Sequence, residues 1–280
     1  MRRIAIAQNT IEILESGNYT SPSGKLVDIQ QDLQSCLAGT KYYEPDALEQ
    51  IQQEVISGKP QYEITEFEVE NETTLEGAKR IIETGKFTKI GVLNFASARN
   101  PGGGFLKGSQ AQEESLARSS ALYKSILLGR KYYEFHRGYE SLFYSDRMIY
   151  SPNCPVLKDD AGNFLENFYC VDFITSAAPN AGGIAKHQPQ DLDKIPEALY
   201  SRGTKVLSLA AAHNCDALIL GAWGCGVFRN KPSMVAQMFA DLLLPGGEFH
   251  GRFKSVVFSI FSSKSEGANL MEFQKRFIGS

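Results

Sequence analysis

Two adjacent glutamates follow three consecutive glycines at a short distance in this chain. The glycines are Gly102–Gly104, and the glutamates belong to Gln112-Glu113-Glu114, at the start of a predicted helix. Consecutive glycines are costly to order, which indicates a backbone that approaches another group too closely for a Cβ or adopts a positive φ. Two neighbouring carboxyls can divide acid and base roles when burial, or the charge of one, raises the pKa of the other.

Each of these features also has a more ordinary interpretation. Glycine clusters form flexible loops, and carboxylates in a first helical turn complement the helix dipole, which opposes a rise in their pKa. The two features together favour a ligand site at which a glutamate transfers a proton.

A second glycine-rich loop follows a later apolar run. Its glycines are Gly221, Gly224 and Gly226, and Lys231-Pro232-Ser233 then begins a helix. Converging backbone amides beside a helix N-terminus form a good cradle for a diphosphate. The loop has neither the P-loop pattern nor the Rossmann glycine pattern. The alternative is a tight strand–helix turn with its aromatic residues, Trp223 and Phe228, in the core.

The surrounding sequence predicts the elements that hold both loops. Apolar, β-prone runs alternate with helical segments, which indicates strands buried on both faces of a layered α/β fold. Ligands bind such sheets at the carboxyl ends of the strands, where both glycine loops lie. The predicted strands are Ile90–Phe95, Tyr169–Ser176, Ala217–Leu220 and Ser255–Phe261, and the predicted helices are Glu114–Leu128, Pro196–His213 and Ser233–Leu244.

The first part of the chain lacks this alternation. We predict a mostly helical extension over residues 1–60, packed on one catalytic domain over residues 61–280. The alternation of apolar and acidic residues in Tyr62–Glu70 predicts a half-exposed strand. Thr73 and Glu76 then form a capping box that begins a helix through about Thr84.

Composition excludes several classes of protein. The 280-residue chain is 42% hydrophobic and has no apolar run long enough to span a membrane. Its net charge of −3 leaves no basic surface for long nucleic acid, so direct DNA binding is not expected. Five cysteines without Cys-x-x-Cys spacing indicate a reducing compartment, and hence a cytoplasmic protein, rather than disulfides or structural zinc. We expect no metal and no cofactor.

The two loops together resemble the macrodomain family, and in particular its bacterial-type poly(ADP-ribose) glycohydrolase branch. That branch carries a triple glycine followed, after a short spacer, by Gln-Glu-Glu; here the spacer is the seven residues Phe105–Ala111. The resemblance covers about residues 62–262 and implies a macrodomain-like three-layer α/β/α fold with a mixed central sheet. The other stretches that resemble the branch are Asn94–Ser97, Tyr150–Pro152, Ala177–Asn180 and Gly221–Asn230.

The resemblance implies a role for each matching residue. Glu114 would protonate the oxygen that leaves the anomeric carbon and then activate water, while Glu113 would hold sugar hydroxyls. Gly103 and Gly104 would cover the distal ribose and the diphosphate. For adenine, Phe261 could stack on the ring, although core packing is the commoner role of such a residue. The other predicted ADP-ribose contacts are Asn94, Gln112, Gly221, Gly224, Cys225, Gly226, Val227 and Phe228.

The implied activity is hydrolysis of the ribose–ribose bond of poly(ADP-ribose), which releases ADP-ribose from chain ends. Three alternatives stay open at this point. The substrate could be a mono-ADP-ribosylated protein, the domain could bind ADP-ribose without cleaving it, or the cradle could serve another pyrophosphate. Two residues depart from the wider family: Asn94 replaces an acidic residue of the animal members, and Ser97 replaces an asparagine of many mono-ADP-ribose macrodomains.

Overall fold

A seven-stranded mixed sheet forms the centre of the molecule, which a computed structural model describes over residues 2–263 and 267–279. The sheet order is β3-β6-β7-β5-β8-β9-β4. β3, β6 and β7 pair antiparallel, and the pairs from β7 to β4 are parallel. The strands are β1 (Asn18–Thr20) and β2 (Leu26–Asp28), which form a separate hairpin, and β3 (Lys41–Tyr43), β4 (Glu66–Glu70), β5 (Ile90–Phe95), β6 (Met148–Lys158), β7 (Phe164–Ser176), β8 (Ala217–Leu220) and β9 (Ser255–Ser259).

Helices cover both faces of this sheet. None of the helices in the described part of the chain is long and apolar enough to cross a membrane. The helices are α1 (Arg2–Ser16), α2 (Gln30–Gly39), α3 (Pro45–Ser57), α4 (Thr74–Glu83), α5 (Gln112–Ser119), α6 (Leu122–Ile126), α7 (Arg130–Gly138), α8 (Ala181–His187), α9 (Ile195–Ala212), α10 (Pro232–Leu243) and α11 (Ala268–Phe277).

The alternation of side chains along β8 separates the two outer layers. Leu218 and Leu220 pack into the core formed with α9, α10 and α11, whereas Ala217 and Ile219 pack into the core formed with α2, α4, α6 and α7. Because successive strand residues point to opposite faces, both faces of the strand are buried. The expected three-layer α/β/α arrangement with a mixed sheet is confirmed.

Most predicted elements of the parallel half are present, with one difference in the first helix after the triple glycine. The predicted helix Glu114–Leu128 is two helices, α5 and α6, separated at Ser120. The backbone of Ser120 is extended, with φ −143°, and pairs with Val156 in a β-bridge. Its hydroxyl donates to the carbonyl of Leu116 and accepts from the N–H of Leu122, so it links both helix ends.

The first 60 residues contain strands that the sequence did not predict. β3 pairs antiparallel with β6 and forms one edge of the central sheet. α1 is attached to β6 by the buried ammonium of Lys158, which donates to the carbonyl of Ile6 and to the side chains of Asn9 and Thr10. The division of the chain at residue 60 stays a prediction.

The fold places the two glycine-rich loops side by side. β5 and β8 are adjacent parallel strands, and each loop follows the carboxyl end of one of them. Ala98, after β5, and Phe228, after β8, pack into one small cluster with Tyr144 and Ala177. The site therefore lies at the carboxyl edge of the sheet, as expected for parallel strands.

Candidate active site

Glu113 is buried beneath the first glycine-rich loop. Its side chain is 3% exposed, although it lies in the first turn of α5. Oε2 accepts a hydrogen bond from the backbone N–H of Ser97 at 2.7 Å, and Oε1 accepts one from Nδ2 of Asn94 at 3.3 Å. These two contacts connect the carboxyl to the end of β5 and to the start of the loop.

Burial raises the pKa of Glu113 to about 8, because the ionised carboxyl is poorly solvated there. The hydrogen bonds from Ser97 and Asn94 act in the opposite direction, and the neighbouring charge of Glu114 adds to the rise. One member of the carboxyl pair is thus desolvated, as a division of roles requires. The desolvated member is Glu113, not the predicted acid Glu114.

Glu114 lies against the triple glycine and is only half-buried. Its Oε1 accepts a hydrogen bond from the backbone N–H of Gly104 at 3.0 Å. Gly102 and Gly103 have φ of +67° and +59°, and a Cβ on Gly103 would lie 2.3 Å from Oε1 of Glu114. Positive φ and close approach therefore both require glycine at position 103.

Gln112 has a bracing contact with β5. The pairing of β5 with β8 ends at Val92. Beyond it, the amide of Gln112 accepts from the N–H of Phe95 at 2.9 Å and donates to the carbonyl of Leu93 at 2.8 Å. Its Nε2 also donates to the hydroxyl of Thr74 at 3.2 Å. The side chain thus continues the hydrogen bonding of the strand and sets where α5 begins.

Asn94 is fully buried at the floor of the site. It follows Val92 by two residues on β5 and therefore points to the same side of the sheet, toward α5. Nδ2 donates to Glu113 and, at 3.1 Å, to the hydroxyl of Thr175 on β7. An amide at this position can donate to a glutamate, which an acidic residue in its ionised form cannot.

The second glycine-rich loop is held from below by Trp223 and Asn230. Trp223 is fully buried, and its Nε1 donates to the carbonyl of Ser176. Nδ2 of Asn230 donates to the carbonyls of Pro179 and Gly224. The interpretation of Trp223 as a core residue is therefore confirmed. Both anchors hold the loop on its core side, so its solvent-facing side is free.

The tip of this loop presents its backbone outward. Gly224 has φ +72°, and a Cβ there would lie 2.5 Å from Nδ2 of Asn230. Gly226 has open space around it, and Val227 is 82% exposed. Cys225 is half-buried within the loop. The exposed backbone is suited to approach by a diphosphate.

Two aromatic residues flank the glycine-rich loops. Phe228 is half-buried, and its ring centroid lies 5.8 Å from that of Tyr144, a residue with a φ of 58° that the sequence did not indicate. Phe261 is 68% exposed, so the expectation of core packing is wrong for it. Phe261 lines a cavity of about 580 Å³ together with Phe95, Ala222 and other residues between α5 and β9.

Two of the further stretches that carry the resemblance have structural roles. Tyr150 stacks on His213 with ring centroids 3.6 Å apart, and its hydroxyl contacts Asp172 in the core. Asn180 caps α8 by accepting from the N–H of Gly183. Among residues 2–263 and 267–279, no group of His, Cys, Asp and Glu side chains is arranged to hold a metal ion.

Comparison with known proteins identifies the family. A family model described as "Microbial-type PARG, catalytic domain" matches residues 7–159. The chain is 44% identical to a poly(ADP-ribose) glycohydrolase (PARG) from Thermomonospora curvata, with a TM-score of 0.94 and 99% of each chain covered. A structure of that enzyme bound to the inhibitor ADP-HPD superposes with a TM-score of 0.91, at 44% identity and 99% coverage of each chain.

A more distant relative supports the same assignment. A poly(ADP-ribose) glycohydrolase from Deinococcus radiodurans, in complex with ADP-ribose, is 39% identical, with a TM-score of 0.82 and coverage of 88% of this chain and 96% of that one. No curated protein matches the chain. The motifs of the two loops, the sheet that brings them together and these similarities agree: the chain belongs to the microbial-type poly(ADP-ribose) glycohydrolases.

Proposed function

We propose that this protein hydrolyses the O-glycosidic ribose–ribose bond of poly(ADP-ribose) and releases ADP-ribose from chain ends. The observation that carries the proposal is the placement of Glu114 at the triple glycine. Its carboxyl is held by the N–H of Gly104 beneath a loop that leaves no room for a side chain at position 103. Beside it lies the buried, hydrogen-bonded carboxyl of Glu113.

Glu114 acts in both steps of the reaction, first as a protonated acid and then as a carboxylate base. The protonated carboxyl donates its proton to the glycosidic oxygen, and the bond from that oxygen to the anomeric carbon breaks with oxocarbenium character. The carboxylate then takes a proton from the water that attacks the anomeric carbon, which restores the acid. The products are ADP-ribose and a chain that is shorter by one unit.

The other predicted contacts position the substrate. Glu113 holds ribose hydroxyls, and its raised pKa allows it to donate as well as accept a hydrogen bond near neutral pH. The amides of the segment 221–227 cradle the diphosphate, and Phe228 packs on the distal ribose. Phe261 stacks on adenine at the mouth of the 580 Å³ cavity. Gln112, which is hydrogen-bonded to β5, also lines this cavity and contacts ADP-ribose there.

The composition of the chain indicates where the protein acts. The substrate is poly(ADP-ribose), and ADP-ribose is the product. We place the protein in the cytoplasm, with no membrane association and no direct DNA binding, because its five isolated cysteines and net charge of −3 fit that setting.

Parallel digestion tests the reaction and its substrate. The unmodified protein is incubated with poly(ADP-ribose) and with arginine- and glutamate-linked mono-ADP-ribosylated protein, and released ADP-ribose is quantified. We expect release from the polymer. Release from only the mono-ADP-ribosylated proteins would assign the alternative activity, a mono-ADP-ribosyl hydrolase.

A single substitution separates a hydrolase from a domain that only binds ADP-ribose. For Glu114→Gln we expect kcat to fall by a factor on the order of 10³, within the range of general acid–base catalysis. The Kd for ADP-ribose should change little, because the diphosphate loop is intact. Glu134→Gln, on the exposed side of α7, controls for the loss of one charge. An unmodified protein that binds ADP-ribose and cleaves neither substrate would be a binding domain.

A further inference from the structure

We propose that a second, cationic cavity beside the active site binds the diphosphate of a neighbouring ADP-ribose unit of the polymer; the inference rests on the proposed function. The cavity has a volume of about 510 Å³ and lies between the start of α1, the end of the triple-glycine segment, α5 and the turn after β6. The charged residues that line it are Arg2, Arg3, Lys107, Arg118, Asp159 and Asp160.

The positive charges of this cavity are only partly balanced by carboxylates. In the described part of the chain, none of the four basic side chains forms an ion pair. Asp159 accepts instead from the backbone and side chain of Asn163, and Asp160 from the hydroxyl of Thr73. Four basic and two acidic side chains leave a surplus of two positive charges in the cavity.

Arg118 is the buried member of this set. It is 5% exposed, and its guanidinium donates to two neutral acceptors, the carbonyl of Ser109 at 2.7 Å and the side-chain oxygen of Gln110. Burial lowers the pKa of Arg118, and the nearby charge of Arg3 lowers it further, while the charges of Glu114 and Asp160 oppose this shift in part. A buried guanidinium with only neutral partners keeps a desolvation cost that a bound anion would offset.

The start of α1 adds to the positive potential. Arg2 and Arg3 occupy its first turn, which contains no acidic residue. Cations are unfavourable at a helix N-terminus, whereas anions are attracted to its free N–H groups. Arg2 also donates to the carbonyl of Ala161 at 3.3 Å, so its side chain lies across the cavity toward the turn after β6.

This cavity borders the proposed substrate site. Gln110 and Asp160 line both the cationic cavity and the 580 Å³ cavity beside Phe261. Arg118 follows Glu114 by four residues on α5, one helical turn or roughly 6 Å along the axis. An anion held by Arg118 would therefore be a neighbour of the bound ADP-ribose. A polymer that repeats a diphosphate in every unit supplies such an anion.

The test compares a substrate with many diphosphates and a substrate with one. The double variant Arg3→Gln/Lys107→Gln removes two exposed charges from the cavity and keeps the buried Arg118. The control, Lys86→Gln/Arg276→Gln, removes two exposed charges elsewhere. Each protein is assayed on long poly(ADP-ribose) and on a 4-nitrophenyl glycoside of ADP-ribose.

We expect the double variant to raise the KM for the polymer about tenfold, which corresponds to 1.4 kcal/mol. Its kcat/KM on the aryl glycoside and its Tm should equal those of the control. The salt dependence of kcat/KM on the polymer should also weaken, because fewer phosphate contacts release counterions. Equal polymer KM values for the double variant and the control would overturn the inference. Failure of the unmodified protein to cleave either substrate would instead contradict the proposed function.

A second measurement distinguishes the polymer from a free anion of the same chemistry. Inorganic pyrophosphate is titrated calorimetrically into the unmodified protein saturated with ADP-ribose, and then into the double variant. Binding that is lost in the double variant, together with a raised polymer KM, supports the subsite. Binding that is lost while the polymer KM stays unchanged would mean that the cavity takes a free anion, which overturns the assignment to the polymer.

Discussion

The carboxylate of Glu114 occupies the space that a side chain on Gly103 would need. A Cβ on Gly103 would lie 2.3 Å from Oε1 of Glu114 and 3.4 Å from Oε2 of Glu113. The next residue, Gly104, donates its N–H to that same oxygen of Glu114. The loop and the helix therefore fit each other closely, and the carboxyl pair requires a glycine at position 103.

Gly103→Ala should displace Glu114 and lower kcat/KM on poly(ADP-ribose) by roughly 100-fold, the cost of a misplacement of about 1 Å. The matched control is Gly85→Ala, where φ is +64° and a Cβ would meet nothing within 4 Å. Both variants should lose about 1 kcal/mol of stability, because alanine is strained at positive φ. Denaturant titration and initial rates measure the two effects. Full activity in Gly103→Ala would contradict the proposed geometry.

Glu113→Gln should change how stability depends on pH. The pKa of Glu113 rises from 4.5 to about 8 on folding, so between these values the folded protein holds a proton that the unfolded chain releases. The contribution of this group to stability is complete below about pH 4.5 and is lost as pH rises through 8. Since glutamine does not titrate, the free energy of unfolding of the variant, relative to the unmodified protein, should increase from pH 5 to pH 8.5.

The measurement is urea denaturation at pH 5, 6.5 and 8.5, with Glu134→Gln as the control for charge removal. A stability difference that stays the same at all three pH values would show that Glu113 is not protonated by burial. Glu113→Gln should at the same time lower activity, because one of its two terminal atoms is an amide nitrogen, so the side chain cannot accept from both the N–H of Ser97 and Nδ2 of Asn94.

Gln112→Glu should loosen the attachment of α5 to β5. The variant keeps the acceptor for the N–H of Phe95 but places a carboxylate against the carbonyl of Leu93. We expect a loss of about 1–3 kcal/mol, the cost of an unsatisfied buried acceptor, and a lower kcat. Thermal denaturation is compared with Gln53→Glu on the exposed side of α3. Equal Tm values for the two variants would exclude the bracing role.

Phe261→Ala should weaken binding of ADP-ribose without affecting the fold. Stacking of a base on an aromatic ring contributes about 1–3 kcal/mol, so the Kd should rise roughly 5- to 150-fold. Because Phe261 is 68% exposed, the Tm should change little. Ile64→Ala, at a residue 75% exposed, is the control for loss of surface apolar area. Calorimetry measures the Kd for ADP-ribose, and an unchanged Kd would show that Phe261 does not contact the ligand.

The sequence predicts the parallel half of the sheet well because its strands are continuous apolar runs. Ile90–Phe95 and Ala217–Leu220 have the predicted bounds. It does not predict β6, which contains Pro152 and Pro155, since proline is unusual inside a strand. There the register with β7 shifts between Ser151 and Cys154. Pairing along the rest of β6 accommodates this irregularity, which only the tertiary structure shows.

The sequence motifs predict which residues form the site, but they do not predict the hydrogen bonds that hold those residues. The glycines and the glutamates are local patterns, and the predicted start of α5 close to Glu113 and Glu114 is correct. Which carboxyl becomes buried depends on Asn94 and Ser97, which meet Glu113 only after β5 and α5 pack together. The bracing contact of Gln112 likewise depends on where the pairing between β5 and β8 ends.

The contacts of Gln112 attach the helix that carries the carboxyl pair directly to the sheet. The amide group behaves as a single peptide unit of an additional strand, since it both accepts from and donates to the backbone of β5. The glutamates that follow are therefore positioned by β5 as well as by the triple glycine, whose Gly104 donates to Glu114. A change in the length or composition of the spacer Phe105–Ala111 would therefore leave the contacts of Gln112 with β5, and with them the start of α5, in place.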